Sequence, residues 1–397
     1  MPHRTQYRSP VSRRRRGWKF FWLLVLLVLG TGIGIWWAKK TPPPALPPRP
    51  VVAPVVQSPP APLHTNLVVA QPSAQPRPTT LTNITFAPET APKPKPELLP
   101  PSPAPVIKSG TFPRPTRDTL EVQIALARLV ISSGSIDGVA GSQTRAALIA
   151  FQQAKELTAT GELDAPTRAA LALESAALIA YTVSSNDLAR LQPLSKTWLG
   201  KSQQTALDYE TILELVAERG HASPGLIRRL NPNVNWTNVV AGTEVQIPNV
   251  EYPLPLGKAA FIVISLAARH LQAFDASTNL LAHFPCSIAA KFEKRPVGEL
   301  HVTAVAPNPD YTFNPEVFPE SDEAQQLKTK LILPPGPNNP VGTAWISLDR
   351  PGYGIHGTPG PEQVGRTESH GCFRLANWNA EYLVRLVSVG MPVLVEP

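Results

Sequence analysis

The chain has 397 residues, 43% of them hydrophobic, with 47 prolines and a formal charge of +8; at roughly 150 residues per domain this length calls for two or three folded units. Of its 37 basic residues nine lie in residues 1–40, which hold no Asp or Glu, so the rest of the chain carries 28 basic against 29 acidic groups, and that balance excludes a nucleic-acid-binding body, which needs clustered Lys/Arg. Two cysteines exclude a disulfide framework and any zinc site of three or four thiolates.

Residues 1–19 form a basic tail. From Phe20 to Ala38 the sequence FFWLLVLLVLGTGIGIWWA holds nineteen residues without a charge, close to the ~20 that span a bilayer core. Arg4, Arg8, Arg13 to Arg16 and Lys19 precede it and only Lys39 and Lys40 follow, so the positive-inside bias puts the tail in the cytoplasm. Trp18, Trp22, Trp36 and Trp37 mark the two interfaces. A cleaved signal peptide is the rival, but the apolar run is too long and Trp36 spoils a small-residue cleavage site. The expectation is an uncleaved, single-pass anchor in the cytoplasmic membrane at residues 20–38, with everything beyond it periplasmic or otherwise extracytoplasmic. Residues 39–116 read as a disordered tether, since 23 of the 47 prolines fall in residues 41–115 and Pro fixes φ and donates no hydrogen bond.

Next comes a helical module, residues 117–173. Leu120, Ile124, Ala127 and Ile131 share one helix face. Asp137-Gly138 signals a turn, Ser142 a helix cap, and Asp164 with Pro166 another helix start. TRAAL occurs at Thr144 to Leu148 and again at Thr167 to Leu171, which hints at an internal duplication. An EF-hand reading of the Asp137 stretch fails for want of alternate ligands and a final Glu. Residues 174–208 read as a connection, and residues 209–249 as helix, turn, helix and a short strand. From Phe261 the pattern turns to short β-rich runs, FIVISL, HLQAFD, LLAHFPCSI, LHVTAV, TAWISL and MPVLVEP, which predict an all-β sandwich or barrel.

Within that last domain His356-Gly357 is followed sixteen residues later by Cys372 in Ser369-His370-Gly371-Cys372-Phe373-Arg374. A neutral thiol is a poor nucleophile, and an imidazole within reach can take its proton. Gly371 leaves room for an acyl group and exposes backbone N–H groups to an oxyanion. Arg374, two residues on in an extended stretch, shares the face of Cys372 and could hold a substrate carboxylate. A zinc site from His356, His370 and Cys372 has the residue types but lacks a fourth ligand or HExxH spacing. Cys286, in an apolar run, reads as core.

These residues closely resemble the L,D-transpeptidase family with its YkuD-type catalytic domain. The pattern is met by His356-Gly357, Ser369-His370-Gly371-Cys372 and Arg374, with Gly342-Thr343-Ala344-Trp345-Ile346 upstream, over residues 258–397. Phe373 stands where Ile or Val is usual. Residues 117–173 resemble the peptidoglycan-binding domain through Ile136-Asp137-Gly138, Gly141 with Thr144, Phe151-Gln152, Thr160-Gly161 and Thr167. Residues 209–249 resemble a divergent LysM module through Leu230-Asn231-Pro232 and Gly242 to Pro248, without its usual opening. The resemblance implies that Cys372 is the nucleophile and His356 the acid/base, oriented by the Gly357 carbonyl. Ser369, His370 and Gly371 would supply the oxyanion site or its support, and Arg374 and Trp345 would bind substrate. It implies no cofactor or metal and peptidoglycan as partner, through tetrapeptide stems and glycan. The alternatives are an L,D-carboxypeptidase acting on the same bond and a wall-binding scaffold, which would lack the Cys or the His.

Overall fold

The computed structural model describes residues 111–397, apart from 319–320, 328, 368 and 370. All of these belong to one compact unit, residues 99–397. The basic tail, the apolar run 20–38 and the tether up to residue 110 lie outside the described residues. No helix among the described residues is long and apolar enough to cross a membrane.

The first module holds β1 (Arg114–Pro115), α1 (Thr119–Arg128), α2 (Ser142–Ala154), α3 (Ala165–Ala170) and β2 (Ala172–Leu173), with β1 and β2 antiparallel. Asp118 caps α1 and Asp164 caps α3, each accepting a backbone N–H three residues on, which satisfies one of the donors that a helix start leaves open. The cap of α2 is Gly141 rather than Ser142, which is already inside the helix. Two buried glutamines explain the spacing of the sequence motifs. The Gln123 amide donates to Asp137 Oδ1 (2.9 Å) and Thr144 Oγ1 (3.1 Å), and its carbonyl accepts from Gly138 N–H (2.7 Å). Gln152 repeats the device, donating to Thr160 and Thr167 hydroxyls (3.0 and 2.8 Å) and accepting from Gly161 N–H (2.8 Å). In both halves one glutamine ties a left-handed glycine turn to a threonine at a helix start, so the repeated TRAAL marks a real structural repeat.

The second module opens with a strand that the sequence reading assigned to a connection. β3 (Leu178–Thr182) is followed by α4 (Ser185–Ala189), α5 (Trp198–Ser202), α6 (Ile212–Arg219), α7 (Pro224–Leu230) and β4 (Glu244–Pro248), and β3 pairs antiparallel with β4. The module therefore starts near residue 178 rather than 209. β3 is hard to see in sequence, because its partner lies some sixty residues on and its burial does not alternate cleanly. Asn231 seals the module: its Nδ2 donates to Ile227 and Gln246 carbonyls (2.8 and 2.9 Å) and its Oδ1 accepts from Gln246 N–H (2.7 Å). The two modules share one apolar core that runs from Val122 to Ile247.

The third module contains β5 (Phe261–Ser265), β6 (His270–Phe274), β7 (Leu280–Pro285), β8 (Gly298–Pro307), β9 (Tyr311–Phe313), α8 (Asp322–Gln326), β10 (Leu331–Leu333), β11 (Ala344–Leu348), β12 (Gly354–His356), β13 (Phe373–Arg374), α9 (Asn377–Leu386) and β14 (Pro392–Glu396). Among the described residues the main sheet has eight strands in the order β13-β12-β11-β8-β14-β5-β6-β7, parallel at β12/β13 and β14/β5 and antiparallel elsewhere. The expected all-β sandwich is corrected here to a mostly-β domain. α9 packs on β8, β11 and β12, and its Trp378, Tyr382, Leu383 and Leu386 are buried. β9 and β10 form a separate hairpin, which closes over a small core of Leu207, Phe313 and Leu333.

Candidate active site

β12 ends at His356, and β13 begins immediately after Cys372. The two strands are parallel with His356 opposite Arg374, and Leu375 N–H donates to the His356 carbonyl at 2.8 Å. Two segments sixteen residues apart in the chain thus meet at one edge of the sheet. His356, Cys372, Arg374, Ser369, Gly371 and Trp345 all line one cleft of about 670 Å³. His370 lies outside the described residues.

His356 is buried, with Nδ1 2.6 Å from the Gly357 carbonyl. A carbonyl only accepts, so Nδ1 carries the proton and Nε2 presents its lone pair. Burial lowers the imidazole pKa to about 4, the Gly357 hydrogen bond opposing that shift and the nearby Arg374 cation adding to it. Burial likewise pushes the Cys372 thiol up, against the backbone and Arg374, which favour the thiolate. Both shifts favour the neutral thiol and imidazole, and the thiol donates to the Gly352 carbonyl at 3.5 Å. Removal from water penalises the charged form of both partners, which disfavours a resting ion pair.

Trp345 pairs with His356 across β11 and β12, and its ring stacks on the imidazole at 5.5 Å between centroids and 24°. A side chain at Gly354 would overlap that indole. Ser369 shapes the turn that carries the sulfur: its hydroxyl donates to the Cys372 carbonyl (2.5 Å) and accepts from Gly371 N–H (3.3 Å). That N–H thus already has an intramolecular acceptor. Cys286 is fully buried and burial pushes its thiol far up; both cysteines are free.

The cleft also has walls that the sequence reading did not identify. Tyr311, Phe318, Tyr353 and Lys294 line it, as does Trp198 of the second module. Trp198 stacks on Phe313 at 4.3 Å, and the N–H groups of Trp198 and Leu199 donate to the Glu323 carboxylate (2.9 and 3.0 Å), which ties α5 to the hairpin side of the cleft. Asn377 was also missed. It is fully buried, and its Oδ1 accepts from Thr358 N–H (2.9 Å), in the loop after His356, and from Thr343 N–H (3.3 Å), just before β11. A Cβ on Gly357 would overlap that Oδ1, which explains why glycine follows the histidine. No spacing rule flags a lone Asn, and Trp198 lies in what reads as a connection. Among the described residues no three His, Cys, Asp or Glu side chains cluster as metal ligands.

Residues 259–395 match the family model described as "L,D-transpeptidase catalytic domain", and residues 116–171 match "Putative peptidoglycan binding domain". The chain is similar to the "Putative L,D-transpeptidase in ATP synthase subunits region ORF 5" of Fuscovulum blasticum, 32% identical over 140 residues that make up 35% of this chain and 70% of that protein. It is similar to the "Putative L,D-transpeptidase YkuD" of Bacillus licheniformis, 26% identical over 185 residues, 47% of this chain and 93% of that protein. The "Probable L,D-transpeptidase YbiS" of Escherichia coli is 30% identical over 164 residues, 41% of this chain; the match spans about half of that relative, 53% of its length.

Proposed function

The chain belongs to the L,D-transpeptidase family, and from that premise we propose that it crosslinks or remodels peptidoglycan through a thioester on Cys372. The observation that carries this reading is the histidine geometry: Nδ1 is held by the Gly357 carbonyl, which leaves Nε2 as the basic nitrogen of a residue that lines one cleft with Cys372. Sγ gives its proton to His356 Nε2 as it attacks the carbonyl carbon of the L,D-peptide bond after the third, diamino residue of a tetrapeptide stem. The C–N bond breaks, the imidazolium returns its proton to the leaving D-Ala amine, and the acyl group stays on sulfur. An amine of a second stem then attacks the thioester and gives its proton to His356, and the departing thiolate is reprotonated. Arg374 holds a substrate carboxylate, and Trp345 keeps the imidazole ring in plane. Neutral resting partners suit this sequence, because proton transfer is then coupled to attack rather than completed before substrate arrives.

The first module grips the wall, and the second, LysM-like module adds glycan contact. The run 20–38 anchors the chain in the cytoplasmic membrane, and its basic flank supports a cytoplasmic N-terminus with the catalytic body outside. The test is purified protein given disaccharide-tetrapeptides, with products and intact protein read by mass spectrometry. Wild type forms crosslinked dimers with loss of D-Ala and carries the acyl adduct on Cys372. Cys372→Ala loses turnover by several orders of magnitude. Crosslinks from Cys372→Ala above background would overturn the mechanism.

A further inference from the structure

Glu218 sits in α6 of the second module, yet its carboxylate reaches the catalytic histidine's support. Asn377 Nδ2 donates to Glu218 Oε1 at 3.0 Å and to the Pro337 carbonyl at 3.2 Å. Its Oδ1 accepts from the N–H groups of Thr343 and Thr358. All four hydrogen-bonding positions of this amide are therefore filled. The filling is directional: the loop offers only donors to one end of the amide, so the other end must find acceptors. Flipping Asn377 would set NH2 against two N–H groups and oxygen against a carboxyl and a carbonyl. Glu218 supplies one of the two acceptors that forbid the flip.

We infer that Glu218 is a positioning residue for the acyl transfer, acting from the neighbouring module through Asn377 on the loop whose Gly357 carbonyl sets the His356 tautomer. The chain of contacts is continuous, from Glu218 to Asn377 to Thr358 N–H, which belongs to the same peptide group as the Gly357 carbonyl that accepts from His356 Nδ1. Its surroundings agree, since burial raises the Glu218 pKa to about 8, with the Asn377 bond opposing the shift and Glu381 and Glu214 adding to it. A carboxyl kept in so costly a place still accepts from Asn377 in either protonation state. Trp378, the next residue of α9, stacks on His221 just beyond the end of α6 at 5.0 Å and 7°, so the two helices meet in fixed register around this contact. The second module thereby does more than bind or space: it completes the support of the active site.

The kinetic arm of the test rests on the transpeptidase reading; the spectroscopic arm does not. Full-length Glu218→Ala and Glu218→Gln are compared with wild type for turnover of a disaccharide-tetrapeptide and for the low-field proton resonance of His356 Nδ1. A misplaced catalytic group costs on the order of 10–100-fold in rate, so Glu218→Ala is expected to lose about that much kcat with KM nearly unchanged and to lose the resonance to exchange. Glu218→Gln keeps an acceptor oxygen and restores both. A Glu218→Ala protein that is folded by circular dichroism with wild-type kcat and an intact resonance would overturn the inference. So would a Glu218→Gln protein as impaired as the alanine variant. If wild type turns over no tetrapeptide, the functional reading falls, and the His356 resonance in the two variants still decides the positioning role. If Glu218→Ala does not fold, Glu218→Met, which fills the same space but offers Asn377 no oxygen acceptor, replaces it: wild-type kcat and an intact resonance in that variant overturn the claim.

Discussion

His356 is buried and Cys372 half-buried in the cleft, and desolvation moves their pKa values in opposite directions, the thiol up and the imidazole down to about 4. Their separation works against an ion pair, because a thiolate would need pH above its ordinary range of about 8.5 and an imidazolium pH below about 4. The free protein should therefore show iodoacetamide alkylation of Cys372 that rises only as pH climbs past about 8.5, with no plateau near pH 6. Buried Cys286 will not contribute signal. A neutral-pH plateau would reveal a resting thiolate–imidazolium pair. At this scale the sequence was informative where chemistry is local: His356-Gly357 and Ser369 to Arg374 stand out as a motif. Asn377, Glu218 and Trp198 do not, because each gains meaning from a partner that only the fold brings near. Ser369 could be singled out but its role could not, since the hydroxyl's choice between histidine and turn is made by backbone geometry.

Among the elements, β5, β6, β7, β8, β11 and β14 were legible because each is at least five residues long and apolar on its buried face. β12 and β13, with three and two residues, are too short to show alternation; β11 templates β12, and β12 in turn templates β13. α9 has a clear face in Trp378, Tyr382 and Leu386, but Ala376 at its start gives no side-chain cap, so nothing announces it inside a β-rich run. The helical repeat carries its own prediction. Gln152 is fully buried and satisfies Thr160, Gly161 and Thr167 at once. Leaving buried polar groups unpaired costs about 1–3 kcal/mol each, so Gln152→Leu should lower unfolding free energy by about 2–3 kcal/mol, measured by urea denaturation. A loss under ~0.5 kcal/mol, the size of an ordinary surface substitution, would mean that the glutamine is not the hub of the repeat.

At the largest scale, the borders that sequence suggests near residues 173, 208 and 249 do not separate independent bodies among the described residues. The first two modules share a core, and Arg128 of α1 donates to the carbonyls of Asn249, Ser175 and Ala176 at 2.8, 3.2 and 2.6 Å. The first module also meets the third, where Ser132 N–H donates to His283 O (2.8 Å) and His283 N–H to Val130 O (3.0 Å). Gln143 Nε2 donates to Val364 O at 2.6 Å, and Arg366 lies 3.5 Å from Asp137. Calorimetry of the full chain should then show one cooperative transition for this body, and deletion of residues 116–171 should lower its midpoint sharply by opening the shared core and removing the pairing of Ile136 with Ala222. Two resolved transitions in wild type would show that the contacts are too weak to couple the modules. Reduced pelleting with cell walls after such a deletion would reflect unfolding as much as lost affinity, so point substitutions on the module's outer surface are the cleaner probe.

The clasp of Gln143 and Arg366 on the loop ahead of Cys372 has a consequence for where bonds are made. On the proposed function, a wall-gripping surface fastened by these contacts to the loop ahead of Cys372 would behave as a jig. Once seated, the enzyme would reach only stems at one offset from its hold, so the pitch of the new stitches would follow from the outline of the protein and not from the local abundance of stems.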